Sequence, residues 1–436
     1  MWEYYHNKSA LVTGGSGFLG TAIVYRLLTR TTVSTIYLLS RGGRKRLLAT
    51  WRKSLPPEIA DELCKSHRLT VLDGDIVLPE MGLSGPEQDL IRQNAQIVIH
   101  AASSINLSKG LPSLVPTVIR ASETVARFAL TCKLLDRFVY VSSAYANSHL
   151  YPRNVAADVE IKEEFYAPGK GSTATSEWDE VQQNGTSQAY EAEDFPWAYA
   201  YAKNLTERLL SHLFVYHGVE HKLLILRPSV IGPAQKYPFP GYSLPMSTPS
   251  TILAAALALT PSWTFRAASR FTSPDDHINL DEVPVDVVVD RLISHLAIGS
   301  VGCVHAVSGK RARIDIREWQ QSAMKLRQIP WTLHPEWVVE DWKSARQHQI
   351  CRFYIILGTS FSFLEDRTVT LSTTLSSEEL SDLQLFTSVH RDNRLQERTE
   401  QIRFVMDHFA SKSWLVFLIV WIFYRNFGKV TSKKSI

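Results

Sequence analysis

In the segment Trp197-Ala198-Tyr199-Ala200-Tyr201-Ala202-Lys203-Asn204-Leu205-Thr206-Glu207, an alanine-rich helix puts Tyr199 and Lys203 on one face. A phenol ordinarily titrates near ~10, too high for proton transfer near neutrality. A neighbouring ammonium stabilises the phenolate and draws that value toward the working range. Tyr201 is rotated to roughly the opposite side, where the spacing gives it no partner. Upstream, the apolar run Phe138–Val141 ends in Ser142-Ser143-Ala144-Tyr145. A hydroxyl fixed at a strand end can donate to a substrate carbonyl oxygen as negative charge develops there. Ser143, last in the run, is the candidate, and Ser142 on the other strand face is the alternative. Ser143, Tyr199 and Lys203 are thus the expected catalytic set. A Tyr-x-x-x-Lys pair on its own is common on protein surfaces, so its meaning depends on the elements around it.

The strongest of those elements is Ser9-Ala10-Leu11-Val12-Thr13-Gly14-Gly15-Ser16-Gly17-Phe18-Leu19-Gly20, an apolar run flowing into glycines at 14, 17 and 20 and then into an amphipathic segment to Leu28. A strand that reverses tightly into a helix, brings its backbone against a pyrophosphate and packs the helix closely has no room for a Cβ at three positions. The first peptide N–H groups of the helix then face the phosphates. This reads as a dinucleotide site, with Thr13, Gly14, Ser16, Gly17, Phe18, Leu19 and Gly20 as cofactor-binding residues. Beyond the second apolar run, where a carboxylate would hold the ribose of NAD, the chain reads Ser40-Arg41-Gly42-Gly43-Arg44-Lys45-Arg46. Arg41 suits a 2′-phosphate, so NADPH is the expected cofactor. Asp75, Ile76 and Ala101 at later strand ends, Lys203 reaching a nicotinamide ribose, and Pro228 and Val230 complete the expected cofactor-binding set. His100 reads as a packed histidine beside the cofactor, with a general base as the alternative.

Short, continuously apolar runs around Leu11 and at 36–39, 69–72, 97–100, 138–141 and 223–226 alternate with helical segments. That pattern predicts an α/β fold with a Rossmann-type, doubly wound parallel sheet covered on both faces. Residues 151–196 lack clear periodicity and read as an insertion covering the substrate. The stretch 227–242 reads as a proline-bearing pocket loop. After about 310 the alternation fades, predicting a reductase domain over 1–310 and a smaller, mainly helical C-terminal domain over 311–436. A net charge of +4 over 436 residues gives no nucleic-acid signature. Four scattered cysteines fit neither a disulfide framework nor a zinc site and favour a reducing compartment. No metal is expected: Asp275-Asp276-His277 reads as a solvated loop. The start lacks a signal-peptide pattern, and the sequons at Asn7, Asn106, Asn184 and Asn204 read as chance matches. The apolar run 414–424, followed by Arg425, Lys429 and a terminal Lys433-Lys434-Ser435-Ile436, predicts peripheral contact with the cytosolic face of the endoplasmic reticulum, the alternative being a buried helix in a cytoplasmic protein.

These residues resemble the fatty acyl-CoA reductase family, a branch of the extended short-chain dehydrogenase/reductases with a C-terminal male sterility domain. The resemblance is carried by residues 11–20, Ile36 to Arg41, Gly74-Asp75-Ile76, Gly82-Leu83-Ser84, His100-Ala101-Ala102, Val141 to Asn147 and Val159 to Tyr166. More specific are Arg227-Pro228-Ser229 with Pro238-Phe239-Pro240-Gly241, and Val283-Pro284-Val285-Asp286; 363–386 is similar more loosely. The resemblance implies reduction of a long-chain fatty acyl-CoA thioester by NADPH, with CoA released and an aldehyde or alcohol formed. Ser143 stands where that family generally carries threonine, keeping the hydroxyl. Val118 stands where related reductases often carry an asparagine that positions a proton path to the lysine, which implies a rearranged relay or impaired turnover. Reduction of a carrier-protein-bound acyl thioester, a small-ketone or sugar enzyme, and a non-catalytic dinucleotide sensor are the rival readings.

Overall fold

The computed structural model describes residues 1–388 except 154, 170, 245, 328, 330, 339–341 and 343, and beyond them 402, 403 and 405–407. Seven parallel strands form the central sheet: β1 (Ser9–Thr13), β2 (Thr35–Leu39), β3 (Leu69–Leu72), β4 (Ile97–His100), β5 (Arg137–Val141), β6 (Leu223–Pro228) and β7 (Gly302–Ala306). Their order is β3-β2-β1-β4-β5-β6-β7. Six coincide with the apolar runs read from the sequence. The seventh, Gly302-Cys303-Val304-His305-Ala306, is short and interrupted by a histidine, and carries no comparable signal.

Alternate strand residues feed opposite layers, as a sheet covered on both faces requires. Val12, Leu38, Ile99 and Val139 pack under α1 (Phe18–Arg30) and a long helix at 285–297, whereas Leu11, Tyr37, Val98 and Phe138 pack under α2 (Ala121–Leu130) and α3 (Ala198–Tyr216). The strand order reverses between β1 and β4, so Thr13 and His100, paired in register, mark the crevice where such sheets bind ligands.

A third core lies under the cover, built from Trp178, Phe195, Tyr201, Leu253, Phe265, Trp319 and Phe361 among others. The 151–196 stretch is more ordered than its sequence suggests, with a strand at 159–161 and helices at 174–184 and 188–192. A buried ion pair fastens it to α3, Arg208 donating through Nη1 and Nη2 to the Glu177 carboxylate at 2.8 and 2.6 Å. Past residue 310 each short strand pairs with one from an earlier part of the chain: 361–363 with 159–161, 334–338 with 264–268, and 314–315 with 279–280. The four cysteines are buried and unbridged. Among the described residues no helix is long and apolar enough to cross a membrane; the 414–424 run lies outside them.

Candidate active site

The turn from β1 into α1 has the geometry its glycines anticipate. Gly14 takes φ +82°, and a Cβ there would lie 2.7 Å from the Ala102 backbone nitrogen. A Cβ at Gly20 would lie 2.6 Å from the Gly14 carbonyl carbon, so α1 rests directly on the loop. Gly17 N–H donates to Gly14 O at 2.9 Å, and Gly17 precedes the first helical residue. The Gly15 carbonyl is held by Trp51 Nε1 at 3.0 Å and Thr21 Oγ1 at 3.1 Å. Phe18 and Leu19 open the helix, and Ser16 lies half-buried on the loop. This close backbone cradle, free of side-chain bulk at a helix N-terminus, fits a dinucleotide pyrophosphate.

At the neighbouring strand ends, Arg41 lies beyond β2, 67% exposed, with Nη1 3.9 Å from Asp75 Oδ2. Asp73 Oδ1 accepts from Gly42 N–H at 2.7 Å, fixing the turn that presents Arg41, and Ile76 packs partly buried nearby. Ala101 N–H donates to Thr13 O at 3.3 Å. Pro228 closes β6, and Val230 begins a short strand beside 282–284. His100 spends both ring nitrogens: Nδ1 lies 2.8 Å from Thr13 Oγ1 and Nε2 3.0 Å from Ser122 Oγ. Ser122 Oγ in turn donates to Val118 O at 2.5 Å, and Thr13 Oγ1 accepts from Ala102 N–H. The proton therefore resides on Nε2, and burial pushes the imidazole down to about 3. His100 is thus held neutral as a bridge between β1 and α2. Val118 itself, fully buried, sits in a widened helical turn at 115–120 and contributes only its carbonyl.

Ser143 follows β5 and caps the short helix at 144–150, its Oγ accepting from Tyr145 N–H at 3.2 Å. That bond uses a lone pair and leaves the hydroxyl proton available to a substrate oxygen. Ser142 Oγ is buried and finds no partner among the described residues. α3 packs along the 144–150 helix, with Asn204 Nδ2 donating to Asn147 Oδ1 at 2.9 Å. Lys203 is 1% exposed and donates to Val141 O at 3.0 Å, tying the lysine to the strand end that bears Ser143. Its ammonium lies 4.8 Å from the Tyr140 ring centre and 5.9 Å from that of Tyr199. The structure thus ties Lys203 to the carboxyl end of β5, which Ser143 follows directly, and sets Tyr199 one helical turn before Lys203 on α3.

Two electrostatic expectations change. Burial raises the half-buried Tyr199 phenol above its ordinary value, and Lys203 at this distance does not offset it; the same desolvation pulls Lys203 down to about 7. Tyr201 does face away from the site, but it is not without partners: its hydroxyl lies 2.6 Å from Ser187 Oγ and donates to Glu177 Oε2 at 3.0 Å. Both partners come from the 151–196 stretch, which gave no periodic signal. Sequence reasoning also passed over Glu207 and Arg227, a buried pair behind Lys203; the four-residue step from Lys203 was the available signal. Asp275 accepts from Trp337 Nε1 and Asp276 pairs with Arg317, both on exposed ground.

A family model described as male sterility protein matches residues 12–292. Fatty acyl-CoA reductase 1 of Homo sapiens is 27% identical over 303 residues, and its counterpart in Xenopus laevis 26% over 304. Each alignment takes in 67% of this chain but 55% of the relative, so the matched stretch spans about half the length of these curated proteins. Among solved structures, the reductase domain of a nonribosomal peptide synthetase from Mycobacterium tuberculosis superposes with a TM-score of 0.60 at 18% identity, covering 92% of both chains. The terminal R domain of the myxalamid biosynthetic pathway does so at 0.58 and 17%, covering 85% of this chain and 86% of that one. These two likenesses establish the Rossmann-type fold.

Proposed function

As the chain belongs to the male sterility protein family, we propose that it reduces long-chain fatty acyl-CoA thioesters with NADPH, releasing CoA and yielding fatty aldehyde, fatty alcohol or both. What supports this reading is that Lys203 donates to the carbonyl at the end of β5, which Ser143 follows directly, that Tyr199 lies one turn before Lys203 on α3, and that the glycine turn follows β1 at the same carboxyl side of the parallel sheet. Ser143 and Tyr199 hold the thioester carbonyl oxygen. Bound in the cradle, the reduced dinucleotide supplies a hydride to the carbonyl carbon. Because burial keeps the phenol protonated at neutral pH, Tyr199 delivers its proton only as charge builds on that oxygen. The Lys203 ammonium stabilises the phenolate left behind. Collapse of the resulting thiohemiacetal breaks the carbon–sulfur bond, leaves an aldehyde and expels the CoA thiolate, which is protonated; a second round gives the alcohol. The cover built from 151–196 and the later strands keeps water from the aldehyde.

Arg41, presented by the Asp73-braced turn, selects the 2′-phosphate in this reading. Residues 1–310 form the reductase unit, and 311–436 the remainder, with the 414–424 tail dipping into the cytosolic face of the endoplasmic reticulum. Truncation at Ser413 tests the tail: it should move protein and activity from the membrane to the soluble fraction, and equal partition of both forms refutes it. Incubation with NADPH and a panel of acyl-CoA and acyl-carrier thioesters, followed by mass analysis, tests the reaction. Reduced fatty product with free CoA is expected. Turnover of carrier thioesters alone assigns the chain to a biosynthetic reductase, and dinucleotide binding without product assigns it to sensing.

A further inference from the structure

Arg227-Pro228-Ser229 is a sequence mark of the chain whose first residue has no part in the chemistry above. Arg227 is fully buried near the end of β6, and Glu207, 1% exposed, lies one helical turn beyond Lys203 on the same face of α3. The guanidinium grips that carboxylate: Nε donates to Oε1 and Oε2 at 3.0 and 3.2 Å, and Nη2 to Oε2 at 2.6 Å. Nη1 donates to Glu164 O at 2.7 Å, so every guanidinium nitrogen is engaged. A carboxylate this deep needs such a partner to offset its desolvation.

Among the described residues few titratable groups surround Lys203. Tyr199 and Glu207 come from its own helix, Tyr140 from β5 and His100 from β4; Arg227 from β6 stands behind Glu207. His100 is neutral, and the two tyrosines are held protonated by burial. Glu207, one helical turn along the same face, is the anion among these groups, and its charge opposes the desolvation that drives the ammonium toward its neutral form. We infer that Glu207, paired with Arg227, is a positioning residue that favours the charged state of Lys203, so that the arginine of β6 serves the acid–base pair from behind. The inference deepens the reductase reading, and its relevance to turnover rests on it.

The test is a carbon-13 NMR titration of lysine side chains in the full-length protein, with the Lys203 signal assigned by its loss in Lys203→Arg. Glu207→Gln should lower the Lys203 midpoint by about one pH unit or more. Because that change strands Arg227, the double variant Glu207→Gln/Arg227→Met removes both charges and should show a smaller shift in the same direction, with thermal stability recovered. Arg227→Lys, which preserves the pairing, should leave the midpoint within about 0.3 unit. In the acyl-CoA assay the alkaline limb of kcat/KM should move to lower pH in parallel, whereas a merely structural role lowers the rate equally at all pH. A folded double variant whose Lys203 midpoint matches the parent overturns the inference. A shifted midpoint in a protein that reduces no thioester overturns the reductase reading and leaves the charge coupling standing.

Discussion

Gly20→Ala isolates the contact on which the dinucleotide cradle depends. Position 20 lies in the first turn of α1, where alanine is the better helix former, so local propensity alone favours the substitution by up to about 1 kcal/mol. Packing opposes it. The new methyl would sit 2.6 Å from the Gly14 carbonyl carbon and 2.9 Å from the Gly15 Cα, both backbone atoms with no rotamer to give. The Gly14 carbonyl oxygen lies nearer still, so restoring contact near 3.4 Å requires the loop and α1 to part by more than about 1 Å. Overpacking of that kind typically costs ~1–3 kcal/mol, so the fold should survive with a lowered melting temperature. The larger effect is on the ligand, because the separation moves the peptide N–H groups that face the phosphates, and a misplacement near 1 Å costs up to about 100-fold. Titration of NADPH by fluorescence should show at least about tenfold weaker binding. Gly85→Ala, in open space at another helix start, is the control and should leave both melting and binding unchanged. Parental affinity and melting in Gly20→Ala would refute the claim that this contact shapes the cradle.

Tyr199→Phe should cut turnover by at least about 100-fold while sparing NADPH binding, and Lys203→Ala should impair both, as steady-state rates and cofactor titrations will report. Undiminished turnover in Tyr199→Phe removes Tyr199 from the mechanism. Arg41→Ala should weaken NADPH by about tenfold and NADH little, a moderate loss because the guanidinium is largely solvated and only loosely paired with Asp75; equal losses refute the 2′-phosphate assignment. Acid should destabilise the fold early: burial holds His100, His295 and His305 down to about 3 and His149 to about 4. Unfolded histidines bind protons from about pH 6.5 downward while these do not, so stability present above that pH is lost on acidification, by up to about 1.4 kcal/mol per unit for each. Asp281, Asp286 and Asp290, raised by burial, act in the opposite sense and soften this fall. Melting temperatures should therefore fall between pH 7 and 5, and a flat profile contradicts the histidine argument.

The glycine turn was legible because its demands fall on the backbone, where absence of a Cβ shows directly in the residue type. Six strands were legible for a similar reason: strands buried on both faces must be continuously apolar. Helical spacing placed Tyr199 with Lys203 and turned Tyr201 away, but it could not show how deeply each is buried. Desolvation thus reversed the expected shift of the phenol. The partners of Tyr201 were hidden because Glu177 and Ser187 are set by the tertiary path of 151–196, not by any local period. The strands at 314–315, 334–338 and 361–363 are two to five residues long, too short for alternation to stand out, and their pairing partners lie far back in the chain.

The two motifs most specific to the chain, around 238–241 and 283–286, looked like independent marks, yet they form one device. Asp286 opens the helix at 285–297, and its carboxylate accepts the backbone N–H groups of Gln235, Lys236 and Tyr237 at 3.0, 2.6 and 3.4 Å. A carboxylate is suited to that task because it alone among short side chains can accept from several converging amides. Tyr237 reaches on to Asp290 at 2.8 Å, and Asp290 in turn holds Arg26 of α1. At the other end of the loop, Tyr242 donates to the Phe18 carbonyl at 3.2 Å, and their rings meet at 5.4 Å. The proline-bearing loop is therefore fastened both to the 285–297 helix and to the first turn of α1, directly over the glycine cradle. That geometry makes it a fixed wall on the dinucleotide side, and in the proposed reading the substrate cover falls to the 151–196 segment and the strands paired with it.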